Sequence, residues 1–223
     1  MKKYNLDDIK TGWQNNETAD TYDEKRFSNV LGKISDSLDK LSIKRALSKI
    51  DKTGAILDLP CGTGRVMSYL YNAGYKNITG ADISEQMLSV AKKKMANHQE
   101  VSFHKTEAEN TKFPNNHFDA IISVRFMGHI PKETRIEILR EFRRLCAGPI
   151  VIEYPIKNQF SHGLKSLLSS LTMRDRLPNQ WEWYDLSKKE LEEELREAGL
   201  RINTMIKKLP FLSESTYVVA KKF

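Results

Sequence analysis

Cysteine is nearly absent from this chain: Cys61 and Cys146 are the only two in 223 residues. Two thiols cannot staple a small scaffold, and a chain this long buries roughly 70 to 75% of the surface its unfolded form exposes, enough for a core without disulfide or metal. No apolar run approaches the roughly 18 residues of a membrane span, and the N-terminal MKKYNLDDIKTGWQNN lacks the apolar stretch of a secretory signal. Fixed-period repeats, low-complexity tracts and Pro/Gly/Ser-rich linkers are missing too. The five histidines, at 98, 104, 117, 129 and 162, lack ligand spacing with one another or with the cysteines, so no metal is expected. These absences exclude secreted, collagen-like, disordered and integral-membrane classes and lead to the expectation of one cytoplasmic domain. Charge of one sign is lacking as well. Lys and Arg exceed Asp and Glu by 36 to 29, a net +7 that permits a polyanionic partner, but the signs are mixed along the chain.

What is present alternates. Val30, Ile34, Leu38, Leu41, Ala46 and Ile50 recur at near-helical spacing within 20–50, with Asp51 to Gly54 as a stop. Short apolar runs at 55–60, 77–82, 101–106, 118–124 and 149–155 read as strands, and 64–74, 84–97 and 132–146 as helices, the second capped by Ser84. Strands separated by such helices imply strand–helix–strand crossovers and a parallel sheet covered on both faces. Residues 156–186 are polar, aromatic and irregular; 186–199 is a helix closed by Gly199; RINTMIKKLPF and STYVVAKKF form a closing hairpin.

The most informative segment is ILDLPCGTGRVMSYL, a strand running through Gly62-Thr63-Gly64 into a helix. Glycines let the backbone turn sharply and a ligand approach closely, and the helix start offers unpaired N–H groups. About twenty residues on, Asp82 ends the next strand, where a carboxylate accepts ribose hydroxyls. Gly62, Gly64 and Asp82 together indicate an adenosine ligand. A dinucleotide fingerprint would place a third glycine at position 67, which is Met67, so an NAD reading loses that element. Asp58, inside the strand end, is costly to bury unless a cation faces it, and a ligand ammonium or sulfonium would supply one.

With these residues on the page, the sequence resembles class I S-adenosylmethionine-dependent methyltransferases, of the type related to ubiquinone-biosynthesis and other small-molecule enzymes. DLPCGTG resembles the family's first motif, GADIS its ribose-binding motif, and KTEAENTKFPNNHFDAIISVRFMGHIP its ordered downstream stretch. The resemblance implies a Rossmann-like, seven-stranded, mostly parallel sheet with helices on both faces and an antiparallel C-terminal strand. It divides the single domain into cofactor-covering helices (20–50), a cofactor-binding core (51–155), an acceptor lid (156–186) and a C-terminal helix and hairpin (187–223). It further implies that Asp58, with the backbone of Pro60, Cys61, Gly62 and Gly64, holds the methionine ammonium, and Asp82 the ribose. Ile83 and Met87 would face the adenine, Glu107 and Ala108 its edge, and Ser123 and Val124 the sulfonium. Tyr22 and Arg26, four apart in a segment like the family's entry helix, would close over the methionine carboxylate.

Methyl transfer from a sulfonium needs alignment, and a base only where the acceptor must lose a proton. His129, after the fourth strand, is the leading base, with a scaffold role as the alternative; Glu153 and Tyr154 also point toward the expected acceptor pocket. Arg125 replaces a more usual apolar or small residue; it either binds an acceptor anion or pairs with Glu133, Glu137 or Glu153. Arg174, Arg176 and Trp183 in the lid favour an anionic or planar acceptor. The expected reaction is methylation of a small molecule at O, N or C, with S-adenosylhomocysteine as coproduct. An RNA or protein methyltransferase, or a catalytically silent cofactor-binding partner, stands as the alternative. The absence of a separate RNA-binding domain argues against nucleic acid, and the charge of +7 keeps that option open.

Overall fold

The computed structural model describes residues 23, 27–98, 100–157, 184–209 and 215–223. In chain order these form α1 (Val30–Ala46), β1 (Ile56–Asp58), α2 (Arg65–Asn72), β2 (Ile78–Asp82), α3 (Glu85–Lys94), β3 (Val101–Lys105), β4 (Ala120–Ser123) and a 3-10 turn (Met127–His129). There follow α4 (Lys132–Leu145), β5 (Ile150–Pro155), α5 (Lys188–Glu197), β6 (Leu200–Lys207) and β7 (Ser215–Lys222). The strands make one seven-stranded sheet in the order β3-β2-β1-β4-β5-β7-β6. β1 to β5 run parallel, while β7 is antiparallel to both β5 and β6, as the closing hairpin requires.

The central strands are short apolar runs because helices cover both of their faces. Alternate residues divide cleanly between two cores. Leu57, Ile121, Ile152 and Tyr154 pack on one side with Leu139 and Phe142 of α4; Ile56, Ile122 and Val151 pack on the other with Met67 and Leu70 of α2. Phe118 is buried in the first of these cores. In β2, a Cβ on Gly80 would lie 2.3 Å from Met67 Sδ, so the bare backbone is what seats α2 on the strand.

Helix starts follow from local chemistry. Ser84 accepts from the Met87 N–H at 3.2 Å to begin α3, and Ser187 and Glu190 form a reciprocal capping box at α5. Helix α1 forms where the apolar spacing predicts it but is turned unexpectedly. Asp39, Ser42 and Ile43 face the protein, whereas Val30, Ile34 and Leu41 face solvent.

Candidate functional site

From β1 the chain proceeds to β2 and β3 on one side, then crosses to β4 on the other, so a crevice opens at the carboxyl ends of β1 and β4. Asp82, Asp58 and Ser123 end three adjacent strands there. The glycine turn packs against β2 through the Cys61 N–H, which donates to the Ala81 carbonyl at 2.8 Å, and it closes on itself from Gly64 N–H to the Cys61 carbonyl at 3.0 Å. Gly62 and Gly64 have φ of 52° and 75°. A Cβ on Gly62 would meet nothing within 4 Å, whereas one on Gly64 would lie 3.1 Å from Ala91 Cβ. Gly64 therefore serves the packing of α2 against α3, and Gly62 leaves open space beside the turn.

Asp58 is 1% exposed, and neither carboxylate oxygen has a hydrogen-bond partner among the described residues. Burial raises its pKa well above the ordinary value; the Arg65 charge opposes this, Asp82 reinforces it, and the Met67 amide exerts a smaller lowering pull without meeting hydrogen-bond geometry. A buried carboxyl without a partner at the foot of a glycine turn is a fitting seat for a cationic ligand group.

Asp82 does more than the sequence indicates. Its Oδ2 accepts from Gly62 N–H at 2.8 Å and its Oδ1 from Ser84 N–H at 2.9 Å, so it ties the glycine turn to the start of α3. Burial raises its pKa, and the Ser84, Gly62 and Ile83 backbone amides oppose the rise. Ile83 and Pro60 are partly exposed, Met87 and Cys61 buried. After β3, Glu107 is exposed and Ala108 buried. Ser123 is buried with its hydroxyl unpartnered among the described residues, next to half-buried Val124.

On the other side of the crevice the candidates separate. Arg125 has φ of 58°, and its backbone N–H donates to Glu153 Oε2 at 2.8 Å. Its guanidinium pairs with Asp39 at 2.9 Å and donates to Ser35 at 3.1 Å, whereas Glu153, one of the three glutamates expected to pair with it, is reached by its backbone N–H. The second Glu153 oxygen accepts from the Ser215 hydroxyl at 2.5 Å, which commits this carboxylate to joining the β4 loop to β7. Tyr154 is fully enclosed in the opposite core, its pKa raised by burial and by the Glu194 charge. His129 sits in the buried 3-10 turn directly after the β4 loop, whose Gly128 carbonyl accepts from Tyr184 N–H at 2.8 Å.

Two residues that the sequence did not single out organise this edge. Asp39 of α1 is wholly buried and meets Arg125, Arg65 (3.5 Å), Lys208 (2.5 Å) and the Tyr217 hydroxyl (2.8 Å). Burial pushes its pKa up, but the charges of Arg125, Lys208 and Arg65 outweigh it and hold the group at about 2. Asp23 accepts from the Thr63 hydroxyl in the glycine turn at 2.9 Å and pairs with Lys94. Each is a lone acidic residue in an otherwise ordinary stretch, with no local pattern to single it out. Tyr22, Arg26, Arg174, Arg176 and Trp183 lie outside the described residues, as does most of the expected lid, whose ends are joined by a bridge between Ile156 and Leu186. Among the described residues no group of His, Cys, Asp and Glu is arranged for a metal, and no helix is long and apolar enough to cross a membrane.

Residues 56–148 match the family described as a methyltransferase domain. The ubiquinone/menaquinone biosynthesis C-methyltransferase of Campylobacter jejuni is 30% identical over 213 residues, 84% of this chain and 87% of that protein. A demethylmenaquinone methyltransferase of Clavibacter sepedonicus is 31% identical over 138 residues, 61% of this chain and 54% of that protein. Over the first curated relatives, the chain spans 30% to 54% of their length. The magnesium protoporphyrin IX methyltransferase of Synechocystis, solved with bound S-adenosylmethionine, shares the fold at a TM-score of 0.68 and 17% identity, with each chain covered fully. By sequence over most of its length and by fold, the chain belongs to the class I S-adenosylmethionine-dependent methyltransferases.

Proposed function

We propose that the protein moves the methyl group of S-adenosylmethionine to a small-molecule acceptor, a ring carbon of a quinol-type compound being the first class to try, and releases S-adenosylhomocysteine. The observation that carries the cofactor half is Asp58, whose buried carboxyl has no hydrogen-bond partner among the described residues and ends the strand that runs into the Gly62 turn. The acceptor half rests on the two relatives named for quinone methylation, since the lid residues that select an acceptor lie outside the described part of the chain.

The bound cofactor supplies a methyl already activated on a sulfonium. Asp58 and the Pro60 to Gly64 backbone hold the ammonium, and the free lone pairs of Asp82 accept the ribose hydroxyls. Ile83 and Met87 bound the adenine, Glu107 and Ala108 reach its edge, and Ser123 and Val124 line the sulfonium side. With Glu153 committed to the Arg125 backbone and Ser215, and Tyr154 enclosed, His129 in the turn after β4 is the described candidate to take an acceptor proton. Arg125, held by Asp39, frames the acceptor mouth.

Thermal unfolding with S-adenosylmethionine, S-adenosylhomocysteine or NAD tests the cofactor. At about one hundred times Kd the first two should stabilise by about 2.7 kcal/mol, roughly 5 to 10 °C. Stabilisation by NAD alone, or by none, refutes the reading. Transfer of labelled methyl to reduced quinones, compared with phenols, amines, RNA and protein, then tests the acceptor, and His129→Ala should lower turnover without weakening S-adenosylhomocysteine binding.

A further inference from the structure

Helix α1 carries its carboxylates inward and its large apolar side chains outward. Asp36 pairs with Arg65 and Lys40, and Asp39 with Arg125, Arg65 and Lys208, from three different parts of the sheet edge. These pairs fix the rotation of the helix about its axis, because turning Ile34 and Leu41 inward would strip Asp39 of its partners in a buried setting. What the pinned helix shows to solvent is Val30 at 73% exposure, Leu31 at 55%, Ile34 at 50% and Leu41 at 43%. At 3.6 residues per turn these four share an arc of about 100°. Exposed Lys33 and Lys44 border the arc on one side, and exposed Arg45 projects within it between Ile34 and Leu31.

Single exposed aliphatics need no explanation, but four in one stripe on a helix held by ion pairs do. A stripe of this width accompanied by cations is what a helix lying in the headgroup region of a bilayer presents. The charge of +7 over the whole chain adds attraction of the same sign. We propose that α1 docks the protein on an anionic lipid bilayer, with Val30, Leu31, Ile34 and Leu41 at the acyl boundary and Lys33, Lys44 and Arg45 on lipid phosphates. The inner face of the same helix pairs with Arg125, in the loop that follows β4, so the stripe and the site lie on opposite faces of one element. The docking surface goes beyond the methyl-transfer reading and does not depend on it, since vesicle binding requires no turnover.

The test is sedimentation of the full chain with sucrose-loaded vesicles, either pure phosphatidylcholine or an equal mixture with phosphatidylglycerol. The wild type should pellet with the anionic vesicles, be left in solution by the neutral ones, and be released as salt rises. Ile34→Asn combined with Leu41→Asn should weaken partitioning about tenfold or more, and Lys33→Glu combined with Lys44→Glu should weaken it on anionic vesicles, both with unchanged unfolding temperature. Failure of the wild type to pellet, or undiminished binding by either double variant, overturns the proposal. A wild-type dimer that the Ile34/Leu41 variant dissolves assigns the stripe to a second copy. A fall of several degrees in unfolding temperature for both double variants assigns it to another segment of this chain. Either result also overturns membrane docking.

Discussion

Asp82 Oδ2 receives the Gly62 N–H at 2.8 Å, so the last residue of β2 and the first glycine of the turn, twenty positions apart, are a single structural unit. The other carboxylate oxygen holds the Ser84 N–H at the start of α3. The residue expected to accept ribose hydroxyls is therefore also the clamp that shapes the turn, so replacing it should disturb the turn as well.

The two glycines of the turn separate packing from ligand space. Gly62→Ala meets no atom within 4 Å and carries only the strain of a φ of 52°, about 1 kcal/mol and roughly 3 °C in unfolding temperature. Gly64→Ala adds a contact at 3.1 Å with Ala91 to a φ of 75°, and should lose about twice as much. S-adenosylhomocysteine affinity, by titration calorimetry, should fall at least tenfold in Gly62→Ala despite the small stability loss. Wild-type affinity in that variant would mean the turn does not hold the cofactor.

Asp58→Asn should trade affinity against stability. Burial raises the folded pKa of Asp58, so its contribution to stability is full below the ordinary carboxyl range and is lost as pH rises through the raised value. Above that pH the ionised group is a burden, and the amide should leave the unfolding temperature unchanged or higher. A cationic ligand group favours the ionised form, so S-adenosylhomocysteine binding to the wild type should release a proton. Calorimetry in two buffers of different ionisation enthalpy would show the release, and its absence from Asp58→Asn would assign it. Equal proton release and affinity in both proteins would exclude Asp58 from the site.

The strands, their order of appearance and the glycine turn were legible because each is a local pattern: short apolar runs, a Gly-x-Gly turn, an acidic residue closing the next strand. Orientation of α1 was not. Apolar spacing announces a helix but assumes that the apolar side faces inward, and here Asp39 wins that side through Arg65, Arg125, Lys208 and Tyr217, drawn from distant points of the chain. The same distance hid the partner of Arg125, which was sought among nearby glutamates and is in fact Asp39. Glu153 looked chemically available at a strand end, but the backbone of Arg125 and the hydroxyl of Ser215 engage both its oxygens, contacts that no spacing encodes.

Asp39 is the residue that holds α1 to the sheet edge, and its loss should be costly. Asp39→Asn removes the wholly buried charge that faces Arg125, Lys208 and Arg65, a change worth about 3 to 5 kcal/mol and roughly 10 °C in a domain of this size. Its folded pKa is held at about 2 against an ordinary 3.8, so the stabilisation is present above the ordinary value and lost as pH falls through the folded one. Acid unfolding of the wild type should steepen across that window, and Asp39→Asn should be flatter there. Tyr217→Phe removes only the hydroxyl at 2.8 Å and leaves the cations in place, which should cost about 1 to 2 kcal/mol. Urea unfolding of both variants decides the matter: equal losses would mean that the hydroxyl, and not the three cations, holds α1 to the sheet edge.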